Sequence, residues 1–258
     1  MKTTMPTLFV GHGNPMHAIL PSRYTEAWQS LGQTLPRPKA ILVVSAHWFL
    51  PEVAVTAMAQ PRTIHDFGGF PRALYQVQYP APGDPLLAQR VAALFAPVPV
   101  RQDQEWGLDH GAWSVLKHLY PDANIPVVQL SLDSRGDGRF HYELARRLAP
   151  LRDEGVLILG SGNIVHHLGE LLWEASAGPY DWAVRFDQKT RLAISAGNHE
   201  ALIALDALDA DGRRAVPTPE HYLPLLYMLG LQRSGDRVSF PVSGIDLGSI
   251  SMTAVLVG

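Results

Sequence analysis

The chain reads as an α/β protein, a single domain over residues 1–258, with a central, largely parallel or mixed β-sheet flanked by helices. Three observations carry this reading. Short apolar or β-branched runs alternate with segments of helical periodicity along the whole length. Several of the runs are apolar at every position, as strands covered on both faces must be. No internal repeat or low-complexity linker divides the chain.

Strands are expected at Thr7–Val10, Ala40–Ser45, Val53–Met58, Val98–Arg101, Ile125–Leu130 and Gly155–Leu159, each bounded by Gly, Pro or Asp. Gly248–Val257 reads as a final strand. Helical spacing marks Ser22–Leu35, Asp84–Phe95, Ala112–Leu119, Phe140–Leu151, Trp182–Ala196 and His199–Leu208. A last helix is expected to start within Pro217–His221. Thr218 is placed to cap it, Pro219 suits its first turn and Glu220 its dipole. That helix continues through Tyr222–Leu229 and can end at Gly230. The Pro- and Gly-rich loops Gln60–Pro71 and Tyr79–Pro85 read as ordered and functional.

Composition narrows the function. Hydrophobic residues make up 47% and charged residues 17%, which is globular and not disordered. A net charge of -3 provides no electrostatic footprint for nucleic acid or for an anionic membrane. There is no cysteine, so disulfides, thiolate metal sites and cysteine nucleophiles are excluded. Any metal must sit on His, Asp or Glu. Leu8–Val10 is too short for a signal-peptide core, and no stretch reaches the ~20 apolar residues of a membrane span. A cytoplasmic location is the expectation.

Histidine is the unusual feature: there are 11. His12, His47 and His166 each lie just past a strand run, and His221 sits at the start of the last helix. In open α/β sheets the ligand crevice lies outside the carboxyl ends of the strands, so these side chains would share one crevice. Neutral imidazole is a common metal ligand, and a catalytic metal needs about three protein ligands with a position left open. A further histidine can move protons. Against this, a histidine beside a glycine is ordinarily a turn residue, and the spacing is no compact metal motif. His17, His118, His141 and His199 read as structural or surface residues. His65, in Ile64-His65-Asp66-Phe67-Gly68-Gly69-Phe70, either lines a pocket for an aromatic substrate or belongs to a rigid turn. His110 follows Asp109, which either caps a helix or orients His110 toward substrate.

Six motifs follow one another in a fixed order. They are Gly11-His12-Gly13-Asn14-Pro15, Ser45-Ala46-His47-Trp48, Ile64-His65-Asp66-Phe67-Gly68-Gly69-Phe70-Pro71 and Trp106-Gly107-Leu108-Asp109-His110-Gly111. Gly162-Asn163-x-Val165-His166 and Pro217-Thr218-Pro219-Glu220-His221-Tyr222 complete the set. The set resembles the 4,5-cleaving DOPA extradiol dioxygenases of the class III, LigB-like ring-opening superfamily, and the chain resembles a bacterial member from end to end. The resemblance implies metal binding by His12, His47 and His221. It implies an acid/base role for His166, which can also touch the metal, and a contact of His110 with substrate. Tyr222, beside His221, is expected with His65 to contact substrate. The wider superfamily uses two histidines and a carboxylate, so Glu220 competes with His221 for the third ligand position. The implied cofactor is Fe(II), with Zn(II) able to occupy the site in purified protein. The implied partners are a catechol and O₂, and DOPA would yield seco-DOPA and then betalamic acid. Two other readings use the same histidines: a zinc hydrolase and a non-catalytic metal- or catechol-binding protein.

Overall fold

The computed structural model describes residues 4–174 and 178–258. The strands are β1 (Thr7–Gly11), β2 (Ala40–Leu50), β3 (Val53–Thr56), β4 (Val100–Asp103), β5 (Val127–Asp133), β6 (Val156–Gly162), β7 (Val238–Val242), β8 (Ile245–Asp246), β9 (Ile250–Ser251) and β10 (Ala254–Val257). The longer helices are α1 (Arg23–Thr34), α2 (Arg72–Tyr75), α3 (Pro85–Phe95), α4 (His110–Leu119), α5 (Gly138–Arg146), α6 (Ala149–Glu154), α7 (Asp181–Ser195), α8 (His199–Ile203), α9 (Ala210–Ala215) and α10 (Leu223–Gly230).

Eight strands form one sheet in the order β4-β3-β5-β2-β6-β1-β10-β7. The four central strands β5, β2, β6 and β1 are parallel, while β10 joins β1 antiparallel and β3 joins β5 antiparallel. The sheet is thus mixed with a parallel centre. Successive residues of a strand point to opposite faces. Ile41 and Val43 therefore enter one core with Trp28 of α1 and Trp113 of α4. Leu42 and Val44 enter the other with Leu144 of α5 and Leu226 of α10. Burial on both faces explains the uninterrupted apolar runs that mark these strands.

Several boundaries differ from the sequence expectation for physical reasons. β2 runs to Leu50, five residues beyond Ser45, and its pairing with β5 shifts register between Val44 and Phe49. The irregularity re-aims the side chains of this stretch, His47 among them. The last helix starts at Leu223 and not at Thr218. A helix begun at Thr218 would leave Pro224 without the N–H that must bond the Glu220 carbonyl. With the later start, Pro224 lies in the first turn. The stretch Phe140–Leu151 is divided between α5 and α6, with Pro150 in the first turn of α6. α8 ends at Ile203, ahead of a 3-10 turn at Leu205–Ala207. The final strand is two, β9 and β10. β7 escapes a sequence reading because Pro241 argues against a strand except at a sheet edge, which is where it lies.

The carboxyl ends of β1 and β6 are locked to the turn before α10. His12 N–H donates to the Gly162 carbonyl at 3.1 Å, and Asn163 N–H donates to the His221 carbonyl at 2.8 Å. A Cβ on Gly162 would stand 2.1 Å from that His221 oxygen. Backbone packs on backbone here, so neither partner can yield. Gly162→Ala is expected to destabilise the protein by about 1–3 kcal/mol in urea unfolding. It should also weaken metal binding by displacing His221, and an unchanged unfolding midpoint would refute the packing argument.

Candidate metal centre and substrate crevice

His12 follows β1, His47 sits in the irregular end of β2, and His221 lies in the turn before α10. One ligand nitrogen from each falls within 4.8 Å of the other two. The Nε2 atoms of His12 and His47 are 3.0 Å apart. His221 Nε2 is buried with no hydrogen-bond partner.

The Nδ1 sides of the rings explain this convergence. His12 Nδ1 lies 3.0 Å from Ser161 Oγ, whose own proton goes to the Gly111 carbonyl at 2.5 Å. Ser161 must therefore accept, and His12 Nδ1 carries the hydrogen. His221 Nδ1 lies 3.1 Å from Glu220 Oε1, and His47 Nδ1 lies 3.4 Å from Asp66 Oδ2. His12 and His221 are thus held by hydrogen bonds at Nδ1, while His47 Nδ1 faces the Asp66 carboxylate without bonding it, a charge that favours the proton on that side. The Nε2 lone pairs then turn inward. Two lone pairs at 3.0 Å, with a third beside them in a buried site, repel unless a cation lies between. This donor set fits a metal ion such as Fe(II) or Zn(II).

Electrostatics favours the same state. Burial, reinforced by the neighbouring imidazoles, holds the pKa of His12 and His47 well below the ordinary value. His221 is also lowered, by burial against the opposing pull of Glu220. Burial alone would raise Glu220, yet its bonds to His221 and Thr218 bring it down to about 2. Glu220 is therefore an anion bonded to Thr218 Oγ1 and His221 Nδ1, and stands outside the donor set. A second group, His47, Asp66 and His110, also meets the distance criterion. Asp66, however, accepts the His110 backbone N–H at 2.8 Å, and its other oxygen faces His110 Nδ1 at 2.9 Å, off the axis of a hydrogen bond. Asp66 thus behaves as an anionic support for the two imidazoles.

His166 lies outside the three-nitrogen set. Its ring stacks on His221 with centroids 3.4 Å apart and planes 8° from parallel. Burial, then the adjacent His221, lowers its pKa to about 2. His110 begins α4, with its ring centroid 3.9 Å from that of His47. Asp109 does cap that helix, accepting from Ala112 N–H at 3.1 Å. It also accepts from Ser45 Oγ and Gln129 Nε2, and burial together with the charge of Asp66 raises it to about 6.

The histidines floor a crevice of about 260 Å³. His12, His47, His110, His166 and His221 line it, as do Asp66, Phe67 and Phe70. His65 and Tyr222 do not, contrary to expectation. His65 Nε2 bonds the Val77 carbonyl at 2.9 Å, and its ring packs on Trp113 behind Phe67. It supports the loop whose phenylalanines face the crevice. Tyr222 directly follows His221 and points the other way, into the core beside Phe186 and Thr190. Ser45, Ser161 and Gln129 escape a reading centred on histidine. Their signal is a small or polar residue inside an otherwise apolar buried strand. His17, His118, His141 and His199 each bond protein groups away from the crevice.

Residues 5–248 match the family described as the catalytic LigB subunit of aromatic ring-opening dioxygenase. The chain belongs to the LigB family. It is 52% identical to the 4,5-DOPA dioxygenase extradiol of Escherichia coli K12, over 100% of this chain and 96% of that protein. Identity to the 4,5-DOPA dioxygenase extradiol of Beta vulgaris is 40%, covering 95% and 93%. The crystal structure of an uncharacterized E. coli K12 protein superposes with a TM-score of 0.86 at 46% identity, covering 98% of this chain and 100% of the other. As a LigB protein the chain is an extradiol ring-opening dioxygenase, an enzyme acting on a small molecule with O₂. The hydrolase and non-catalytic readings are set aside. Among the described residues no helix is long and apolar enough to cross a membrane.

The depressed histidines make the metal-free protein acid-sensitive. An imidazole whose folded pKa lies below the unfolded value of 6.5 binds fewer protons than the unfolded chain between the two values. Its contribution to stability is complete above 6.5 and is lost as pH falls below it. The urea midpoint of metal-free protein should drop between about pH 7.5 and pH 5. His12→Gln should flatten part of that slope, and a midpoint independent of pH would contradict the burial of neutral imidazoles.

Proposed function

We propose that the enzyme opens catechols next to the diol, with Fe(II) held by His12, His47 and His221. DOPA is a substrate by analogy with the relatives' names. The observation that carries this reading is the trio of bare Nε2 atoms facing an open crevice. Such a centre keeps positions free on the crevice side for both catechol oxygens and for O₂. When bound, Fe(II) supplies the electron path between catechol and O₂ that the side chains lack.

The remaining chemistry belongs to the protein. Ser161, Asp66 and Glu220 orient the three imidazoles and keep their Nε2 lone pairs aimed inward. His166, lining the crevice beside His221, accepts the proton that a catechol hydroxyl loses on binding and returns it as the ring opens. Its ring stacks on His221, which supports a role beside the metal site as the acid and base. His110, oriented by Asp66, lines the crevice and contacts the substrate diol, accepting from a catechol hydroxyl through the ring nitrogen that does not face Asp66. Phe67 and Phe70 sandwich the aromatic ring against the apolar wall and exclude water.

With Fe(II), catechol and O₂ should disappear in equal amounts and a yellow ring-opened semialdehyde should form. Zinc-loaded protein should be silent, because Zn²⁺ has no redox chemistry. A dicarboxylic muconate as the sole product, or turnover without O₂, would sink the proposal. His47→Ala should lose metal and activity together. His166→Gln should keep metal by elemental analysis while kcat drops roughly 10²–10⁴-fold. Loss of metal in His166→Gln would instead make His166 a ligand.

A further inference from the structure

The crevice changes character from floor to mouth. Its floor is imidazole, whereas the partly or largely exposed Phe67, Phe70, Leu168, Leu171 and Trp173 line its outer part, with Asn14 the neutral polar residue among the lining. Among the described residues no lysine or arginine lines it. Among the described residues the one carboxylate in the lining is Asp66. Arg214, a cation of the adjoining surface, is paired with Glu170 and lies over the Trp182 ring at 4.8 Å. Leu168 is 62% and Trp173 69% exposed, so two of the most solvent-exposed large apolar side chains of the protein stand at this mouth. Apolar surface gathered at a pocket rim is surface that a ligand covers.

Resting on the ring-cleavage reading above, we propose that the site selects catechols whose ring substituent is uncharged and apolar, with Leu168, Leu171 and Trp173 as the selecting residues. A catechol seated with its diol on the histidine floor directs its substituent along this mouth. An alkyl, aryl or ester group there covers Leu168 and Trp173. A carboxylate there gives up water, meets no cation and shares the crevice with Asp66. DOPA, whose ammonium and carboxylate offset one another, is then tolerated and not preferred.

The decisive comparison is a matched pair, dihydroxyphenylacetate and its methyl ester, which share the ring and differ in one charge. Two readouts are needed: kcat/KM with Fe(II), and calorimetric Kd on inert zinc-loaded protein. The ester should be favoured on the order of ten- to hundredfold in both, the worth of one missing charged hydrogen bond. Leu168→Arg places a cation at an already exposed position and should narrow or reverse the preference. Leu171→Lys is the second variant should Leu168→Arg fail to fold. Equal handling of acid and ester by wild-type protein, or a preference for the acid, overturns the selectivity and leaves ring cleavage intact. If neither catechol binds the zinc-loaded protein and neither consumes O₂ with Fe(II), the ring-cleavage reading falls and the selectivity falls with it.

Discussion

Three imidazole nitrogens must meet as bare lone pairs at the floor of a crevice, and the rest of the structure follows from that demand. Left alone, the rings would rotate to share protons or turn toward solvent. Hydrogen bonds at Nδ1 prevent this for two of them, to Ser161 for His12 and to Glu220 for His221, and the charge of Asp66 faces the Nδ1 of His47. Those anchors are themselves held, Ser161 by Gly111, Asp66 by the first N–H of α4, and Glu220 by Thr218. The site is rigid because every group that aims a ligand is itself spoken for by a second partner.

This arrangement divides labour between sheet and loops. β1, β2 and β6 fix His12, His47 and Ser161 through a parallel ladder buried on both faces. Loops and helix starts deliver Asp66, His110, His166 and the crevice walls. The ligand-bearing half resists deformation, while the half that meets substrate can vary without disturbing the metal. Neutral imidazoles packed together cost stability in the metal-free chain, and a bound cation offsets that cost by preferring the folded state.

Much of this was legible in the amino-acid order. Doubly buried strands announce themselves as apolar runs, so the parallel centre of the sheet emerged with its strand starts nearly right, while β2, β5 and β6 run on past the expected ends to Leu50, Asp133 and Gly162. His12, His47 and His166 were visible because each follows such a run, and His221 because it sits at a helix start, its place as a ligand being implied by the family resemblance. The misses have physical causes. Hydrophobic periodicity says nothing about a register shift, so β2 was cut short at Ser45 and the bend that carries His47 was not seen. Tyr222 shares a motif with His221, but adjacent residues point in different directions, and its ring belongs to the core. His65 sits in a loop that does build the crevice, yet the loop turns its phenylalanines outward to the pocket and its imidazole backward to Val77. The choice between Glu220 and His221 depended on which atom faces inward, a matter of side-chain direction that spacing cannot encode.

The three ligands are spread over nearly the whole chain, and this bears on how the enzyme is made. His12 and His47 leave the ribosome early, whereas His221 follows only after most of the polypeptide has been synthesised. At about 5–20 residues per second that interval is on the order of ten to thirty seconds. During it, two histidines alone form no closed site, and a stray ion that lands on them has little to retain it. On the proposed ligand set, the three nitrogens come together only once β6 and the turn before α10 have closed onto β1, so the site is a product of the finished fold and not of any one segment.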